Sequence, residues 1–135
     1  MRLHTVFTLL FLFVIHSTFS QYSIKGNKKK GVSRVQYGTA SFYNNKFNGR
    51  KTANGEIFSQ KKMTAAHNSL PLGTYVRVTN LRNKRSVVVK VNDRLHARNR
   101  RLIDLTKTAA VRLGFVKSGL TRVKLEILGK KPPSG

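Results

Sequence analysis

The chain contains no cysteine, no tryptophan and three prolines, and sets four acidic residues against 27 lysines and arginines. Without cysteine there is no disulfide scaffold, no thiolate metal site, no cysteine nucleophile and no lipid anchor on a thiol. The four carboxylates, Glu56, Asp93, Asp104 and Glu126, are too few for a calcium cage or a paired-magnesium site. A serine-hydrolase elbow, a phosphate-binding loop and a dinucleotide fingerprint are all missing. Zinc has no spaced ligand set either: His67, Asp93 and His96 lack an HxxxH-type signature, so neither metal nor cofactor is expected.

What is present is charge and enough apolar residues to fold. At 135 residues and 39% hydrophobic, the chain has room for one compact core, and wholesale disorder is not expected. A net charge of +23 calls for an anionic partner: nucleic acid, an anionic membrane or an acidic polymer.

The N-terminus narrows that choice. Arg2 and His4 precede an apolar run from Val6 to Ile15, and Ser17-Thr18-Phe19-Ser20 offers small residues three and one before a cut ahead of Gln21. A basic start, a run of about ten apolar residues and a small-x-small site make a secretory signal peptide; the run is too short to span a bilayer. Residues 1–20 are therefore expected to be a signal peptide, and 21–35 a flexible basic arm containing Lys28-Lys29-Lys30. An exported cationic chain meets peptidoglycan, teichoic acid or lipopolysaccharide rather than nucleic acid. The periplasm or cell envelope is the expected location, with no transmembrane helix after signal cleavage. Residues 129–135 read as a disordered tail, which leaves 36–128 as the folded unit, expected to be a monomer.

Alternation dominates that unit. Tyr75–Thr79, Val87–Val91 and Val123–Leu128 alternate apolar and polar positions, the period of half-buried strands. Shorter strands are expected near 37–43, 63–67 and 101–105. One helix is expected, with Thr106 as N-cap, Ala109, Ala110 and Leu113 on its apolar face, and Gly114 closing it. The pattern is a small, mostly β domain, and closure into a barrel would remove the edges of so many short strands.

In a chain this basic each acid needs a reason. Glu126 falls on a polar strand position near Lys124, a surface residue. Asp104 lies just before the helix, where it could accept from the first turn or pair with an arginine; a structural role is expected. Glu56 follows the turn sequence Thr52-Ala53-Asn54-Gly55. Asp93 ends a hydrophobic strand beside Asn92 and Arg94, a common position for chemistry carried on a rigid scaffold. His67 closes Met63-Thr64-Ala65-Ala66, and His96 sits in an arginine-rich loop where solvation is expected.

Read together, YGTASFY at 37–43, FNGRKTANGE at 47–56, MTAAHNSLPLGTYVRVTNL, RSVVVKVNDR and RLIDLTKTAAVRLGF resemble RlpA-like (rare lipoprotein A) domains, in order and over about residues 37–128. The resemblance implies a six-stranded double-psi β-barrel with one or two short helices. It also implies endolytic lytic transglycosylase activity on peptidoglycan glycan strands, cutting the MurNAc–GlcNAc β-1,4 bond to leave a 1,6-anhydro-MurNAc end. The family's site residues fall on Asp93, His67 and Glu56. Asp93 is expected as the general acid/base, His67 as its orienter and Glu56 at the cleft rim, with Asn92, Arg94, Asn54 and Tyr43 contacting the glycan. This chain departs from the family after Asn92-Asp93-Arg94, where Gly-Pro-Phe is usual and Leu95-His96-Ala97 stands.

Two other classes fit the residues. One is a non-catalytic expansin-like module on the same barrel, binding peptidoglycan without cutting it. The other is a secreted cationic binder of nucleic acid or lipopolysaccharide. Basic residues scattered through every segment, rather than gathered in one aromatic-interleaved stripe, argue against the last, so anionic cell-wall polymers and not nucleic acid are the expected partners.

Overall fold

The structure, a computed structural model, describes residues 34–134; the expected signal peptide and nearly all of the basic arm lie outside the described residues. The elements run β1 (Val35–Phe42), a 3-10 turn (Asn45–Phe47), β2 (Thr64–Ala66), β3 (Tyr75–Asn80), β4 (Ser86–Asp93), β5 (Ile103–Leu105), α1 (Lys107–Leu113) and β6 (Thr121–Gly129). The six strands close into a barrel in the order β1-β5-β2-β4-β3-β6. β1 pairs parallel with β5, and β2 parallel with β4; the remaining neighbours are antiparallel. A mostly β barrel of six strands with one short helix is the fold expected from the sequence.

The period-two segments supply the core. Along β3, Val76, Val78 and Asn80 point inward while Tyr75, Arg77 and Thr79 are half-exposed. Val87, Val89 and Val91 of β4 join Ile103, Leu105, Leu113, Val123 and Leu125 in one cluster. Short β-branched side chains suit the inside of so narrow a barrel, where they pack without needing rotamer freedom. Gly38 on β1 is required by close approach: a Cβ there would lie 2.6 Å from the Cβ of Leu102.

Helix α1 begins at Thr106 and ends at Gly114, which adopts the left-handed conformation (φ 74°). The Thr106 hydroxyl does not cap the helix; it donates to the Lys62 carbonyl (2.6 Å). The Gln60 side chain takes over the capping role by accepting the Lys107 N–H (2.8 Å). Asp104, one candidate for that role, points elsewhere.

Two pairings at one end of the barrel position the site. Ala66, the last residue of β2, faces Asp93 of β4 on one side and Asp104 of β5 on the other. The register of β2 on β4 slips between Ala65, opposite Val91, and Ala66, opposite Asp93. Asn92 is the extra residue of this bulge. Bulges bend the strand and re-aim side chains, and here Asn92 is turned inward (2% exposed) while Asp93 turns outward.

Candidate active site

Asp93 and Asp104 flank Ala66 across three adjacent strands, so their α-carbons stand two strand spacings apart, ~10 Å. Ala66 between them is small enough to leave a hollow. Both acids line a cleft of about 490 Å³, together with Tyr43, Phe47, Arg94, His96 and Arg101. A second hollow of about 240 Å³ adjoins it, bounded by Arg50, Lys51, Thr52 and Phe58, and Tyr43, Phe47 and Asp93 belong to both. Asp93 thus stands at the junction of two adjoining cavities.

Three donors hold its carboxylate. Tyr43 Oη donates to Oδ2 at 2.7 Å, and the N–H groups of Ala53 (3.0 Å) and Arg94 (2.9 Å) donate to Oδ1. The Arg94 guanidinium is engaged elsewhere, donating to the His67 carbonyl at 2.7 Å. The Tyr43 phenol is pushed well above its ordinary range, first by burial and then by its bond to the Asp93 carboxylate. It therefore remains a hydroxyl donor throughout the working pH range.

The turn that delivers the Ala53 N–H is built by the Thr52-Ala53-Asn54-Gly55-Glu56 sequence. Asn54 Oδ1 accepts from the Thr52 hydroxyl (2.7 Å) and from the Glu56 N–H (3.0 Å), while Gly55 takes φ 89°. Glu56 then clamps the turn to β4. Its carboxylate accepts from Lys90 Nζ (2.7 Å), Asn54 Nδ2 (2.6 Å) and Asn92 Nδ2 (3.3 Å). The Lys90 hydrogen bond, followed by that from Asn54, lowers Glu56 to about 2. A carboxyl group so firmly ionised has no proton to donate at neutral pH. Asn92, expected to touch glycan, is buried and serves as an anchor for Glu56.

His67 is brought beside Asp93 through the backbone: its N–H donates to the Asp93 carbonyl at 3.1 Å. Its ring has other partners. Nδ1 accepts the N–H groups of Ser69 (3.1 Å) and Leu70 (3.2 Å), so Nε2 carries the proton and donates to Gln36 Oε1 (2.9 Å). Burial first, and then the Arg94 charge, lowers its pKa below the usual histidine value. The imidazole is a neutral pin joining the end of β2 to β1 and to the following loop.

Asp104 is expected at the strand–helix junction, and the structure places its carboxylate in the cleft wall. Arg101 grips it with two bonds, Nε to Oδ1 at 2.8 Å and Nη2 to Oδ2 at 3.0 Å. Among the described residues Glu56 pairs with Lys90, Asp104 with Arg101 and Glu126 with Lys124. Asp93 forms no ion pair among them. Arg101, Phe47, Gln36, Gln60 and Lys90 were not singled out by sequence. Of these, Lys90 carried a signal as a lone cation among alternating valines, and Arg101 as the arginine three residues before Asp104.

The Glu56 clamp makes a measurable prediction. Its carboxyl is lower in the folded than in the unfolded chain, so its contribution is complete above about pH 4.5 and is lost as pH falls towards about 2. With a third of each side chain exposed, solvent screening reduces it to about 1 kcal/mol. Glu56→Gln is expected to lower the melting temperature by ~4–8 °C at neutral pH and by much less near pH 2, read by thermal denaturation at both.

The fold and site define a small closed six-stranded β-barrel that carries two acids, Asp93 and Asp104, in one cleft. The comparisons identify the family. The family described as "Lytic transglycolase" matches residues 26–125. An endolytic peptidoglycan transglycosylase RlpA of Pasteurella multocida is 45% identical over 113 residues, covering 79% of this chain and 38% of that protein. One from Vibrio cholerae is 39% identical over 131 residues, covering 88% of this chain and 50% of that protein. The chain belongs to the family of RlpA-like double-psi β-barrel lytic transglycosylases, and it spans half or less of the length of these two relatives. A mutant expansin of Clavibacter michiganensis, solved in complex with cellohexaose, shares the fold: TM-score 0.56 at 20% identity, covering 76% of this chain and 53% of that one.

Proposed function

We propose that this chain is an endolytic peptidoglycan transglycosylase with Asp93 as its general acid and base, working on glycan strands in the cell envelope after export. The observation that carries this reading is that Asp93 alone, of the two carboxyl groups in the cleft, has no ion-pair partner among the described residues, whereas Asp104 is held by Arg101. Relatives named as endolytic peptidoglycan transglycosylases support the reaction and the substrate.

In the first half of the reaction the Asp93 carboxyl gives its proton to the departing glycosidic oxygen as the C1–O4 bond breaks. The electron pair leaves with that oxygen, and positive character develops at C1 of MurNAc. In the second half the 6-hydroxyl of the same sugar attacks C1, and Asp93 takes the hydroxyl proton as the O6–C1 bond forms. One carboxyl group therefore suffices, and water takes no part. Glu56, ionised and clamped, holds the turn whose Ala53 N–H fixes Asp93. His67 acts through the backbone, by carrying the carbonyl on which Arg94 is anchored. Arg94 lines the cleft and is exposed, whereas Asn54, expected to touch glycan, spends its side chain on Thr52 and Glu56 within the turn.

Mass analysis of purified peptidoglycan after incubation with the protein tests the reading. Release of fragments ending in 1,6-anhydro-MurNAc is expected. Reducing ends, or intact strands that remain bound, would contradict it.

A further inference from the structure

A carboxylate offers about four acceptor positions, two on each oxygen. On Asp93 three are filled. Oδ1 receives the N–H groups of Ala53 and Arg94, and Oδ2 receives the Tyr43 hydroxyl. Among the described residues the one open position is on Oδ2. Two backbone N–H groups can only donate, so a proton on Oδ1 would have to displace one of them. We propose that Asp93 exchanges its proton at Oδ2 alone, and that Tyr43 is the positioning residue that keeps the open side of that oxygen turned into the cleft. The inference rests on the transglycosylase reading of the same cleft.

Tyr43 is held as a positioning group must be. Its N–H donates to the Leu105 carbonyl (2.9 Å), and its own carbonyl accepts from the buried Gln60 side chain (2.6 Å). Its ring packs against Phe58 at 4.3 Å and edge-on to Phe47 at 5.7 Å between centroids. A hydroxyl carried on so fixed a ring stops the carboxylate from rotating, which would swap Oδ1 for Oδ2. Other charged groups face Asp93 as well: Arg94 just after β4, Lys46, Arg50 and Lys51 from the segment after β1, and His96, Arg101 and Asp104 across the cleft. These set the field around the carboxyl, but none donates a side-chain hydrogen bond to it among the described residues. Tyr43 alone does.

Tyr43→Phe keeps the ring and both aromatic contacts and removes only the hydroxyl. It is expected to lower kcat about 10- to 100-fold with KM within about threefold, as for an interaction that matters in the transition state. Fluorotyrosine at position 43, which keeps the donor in nearly the same shape, should hold kcat within about threefold of the unmodified protein. An unchanged kcat, a rise in KM alone, or a fluorotyrosine protein as slow as Tyr43→Phe would overturn the proposal. A substrate-free reading separates this inference from the proposed activity. In crystal structures the Asp93 carboxylate should keep one orientation in the unmodified and fluorotyrosine proteins, and turn about its Cβ–Cγ bond or become disordered in Tyr43→Phe. An unmoved carboxylate in Tyr43→Phe would refute the role of Tyr43, whereas a displaced one in a protein that cuts no glycan would refute only the transglycosylase reading.

Discussion

Replacing Asp93 by asparagine is expected to lower glycan cleavage by about 10²- to 10⁴-fold, the usual worth of one general acid–base group. The substitution is nearly isosteric. The asparagine carbonyl still accepts the Ala53 and Arg94 N–H groups that now meet Oδ1, and its amide can donate to Tyr43 Oη. The melting temperature should therefore move by no more than a few degrees. Adsorption to sacculi should change little, because one charge is small beside a net charge of +23. Measured together, turnover, melting and retention separate chemistry from adhesion. Full activity in a folded Asp93→Asn protein would remove Asp93 from the mechanism. With Glu56 firmly ionised, the acid role would then pass to Asp104, released from Arg101.

The second large effect is expected at His67, in stability rather than in chemistry. His67→Ala leaves the Ser69 and Leu70 N–H groups and the Gln36 side chain without their partner, in a place where His67 is only 3% exposed. Loss of a buried hydrogen-bonded residue of this kind costs about 2–4 kcal/mol, or ~10–20 °C of melting temperature in a domain of this size. Well below the melting transition, turnover per folded molecule should stay within a few-fold of the unmodified protein. A drop of about 100-fold without a change in melting would instead make the imidazole a proton carrier. Acidity should act in the same direction as the substitution. The ring is neutral and its pKa is lowered in the fold, so the stability it supplies is complete above the ordinary histidine value of 6.5 and is lost as pH falls through the folded one.

Much of the scaffold is legible in the residues themselves, because period-two alternation reports directly which face of a strand is buried. Tyr75–Thr79 and Val87–Val91 needed nothing more, and the small residues around Ala109 and Ala110 marked the helix. Closure into a barrel is different. It depends on β1 pairing with both β5 and β6, contacts between segments more than 60 residues apart, and the motif resemblance supplied it where periodicity did not. The same distance in sequence hides the details of the site. Asp93 faces the cleft because of a bulge between β2 and β4, and nothing in Val91-Asn92-Asp93 shows which of two polar neighbours turns inward. Asp104 looks like a helix-start acid when read locally, with Arg101 three residues earlier as a natural partner. Its place opposite Asp93 emerges only once Ala66 is paired to both. The His67 ring is set by Gln36, 31 residues away on β1. Glu56 could be expected at the cleft, but its role as a clamp required Lys90 and Asn92 to be placed.

The central claim is that one carboxyl group, Asp93, serves a ring closure in which the sugar's own hydroxyl replaces water. The most direct test is to digest purified peptidoglycan in water enriched in heavy oxygen and to weigh the newly formed ends. The account predicts anhydro-MurNAc ends with no heavy oxygen incorporated, formed far more slowly by Asp93→Asn. Ends carrying one heavy oxygen would show that water is the nucleophile and would contradict it.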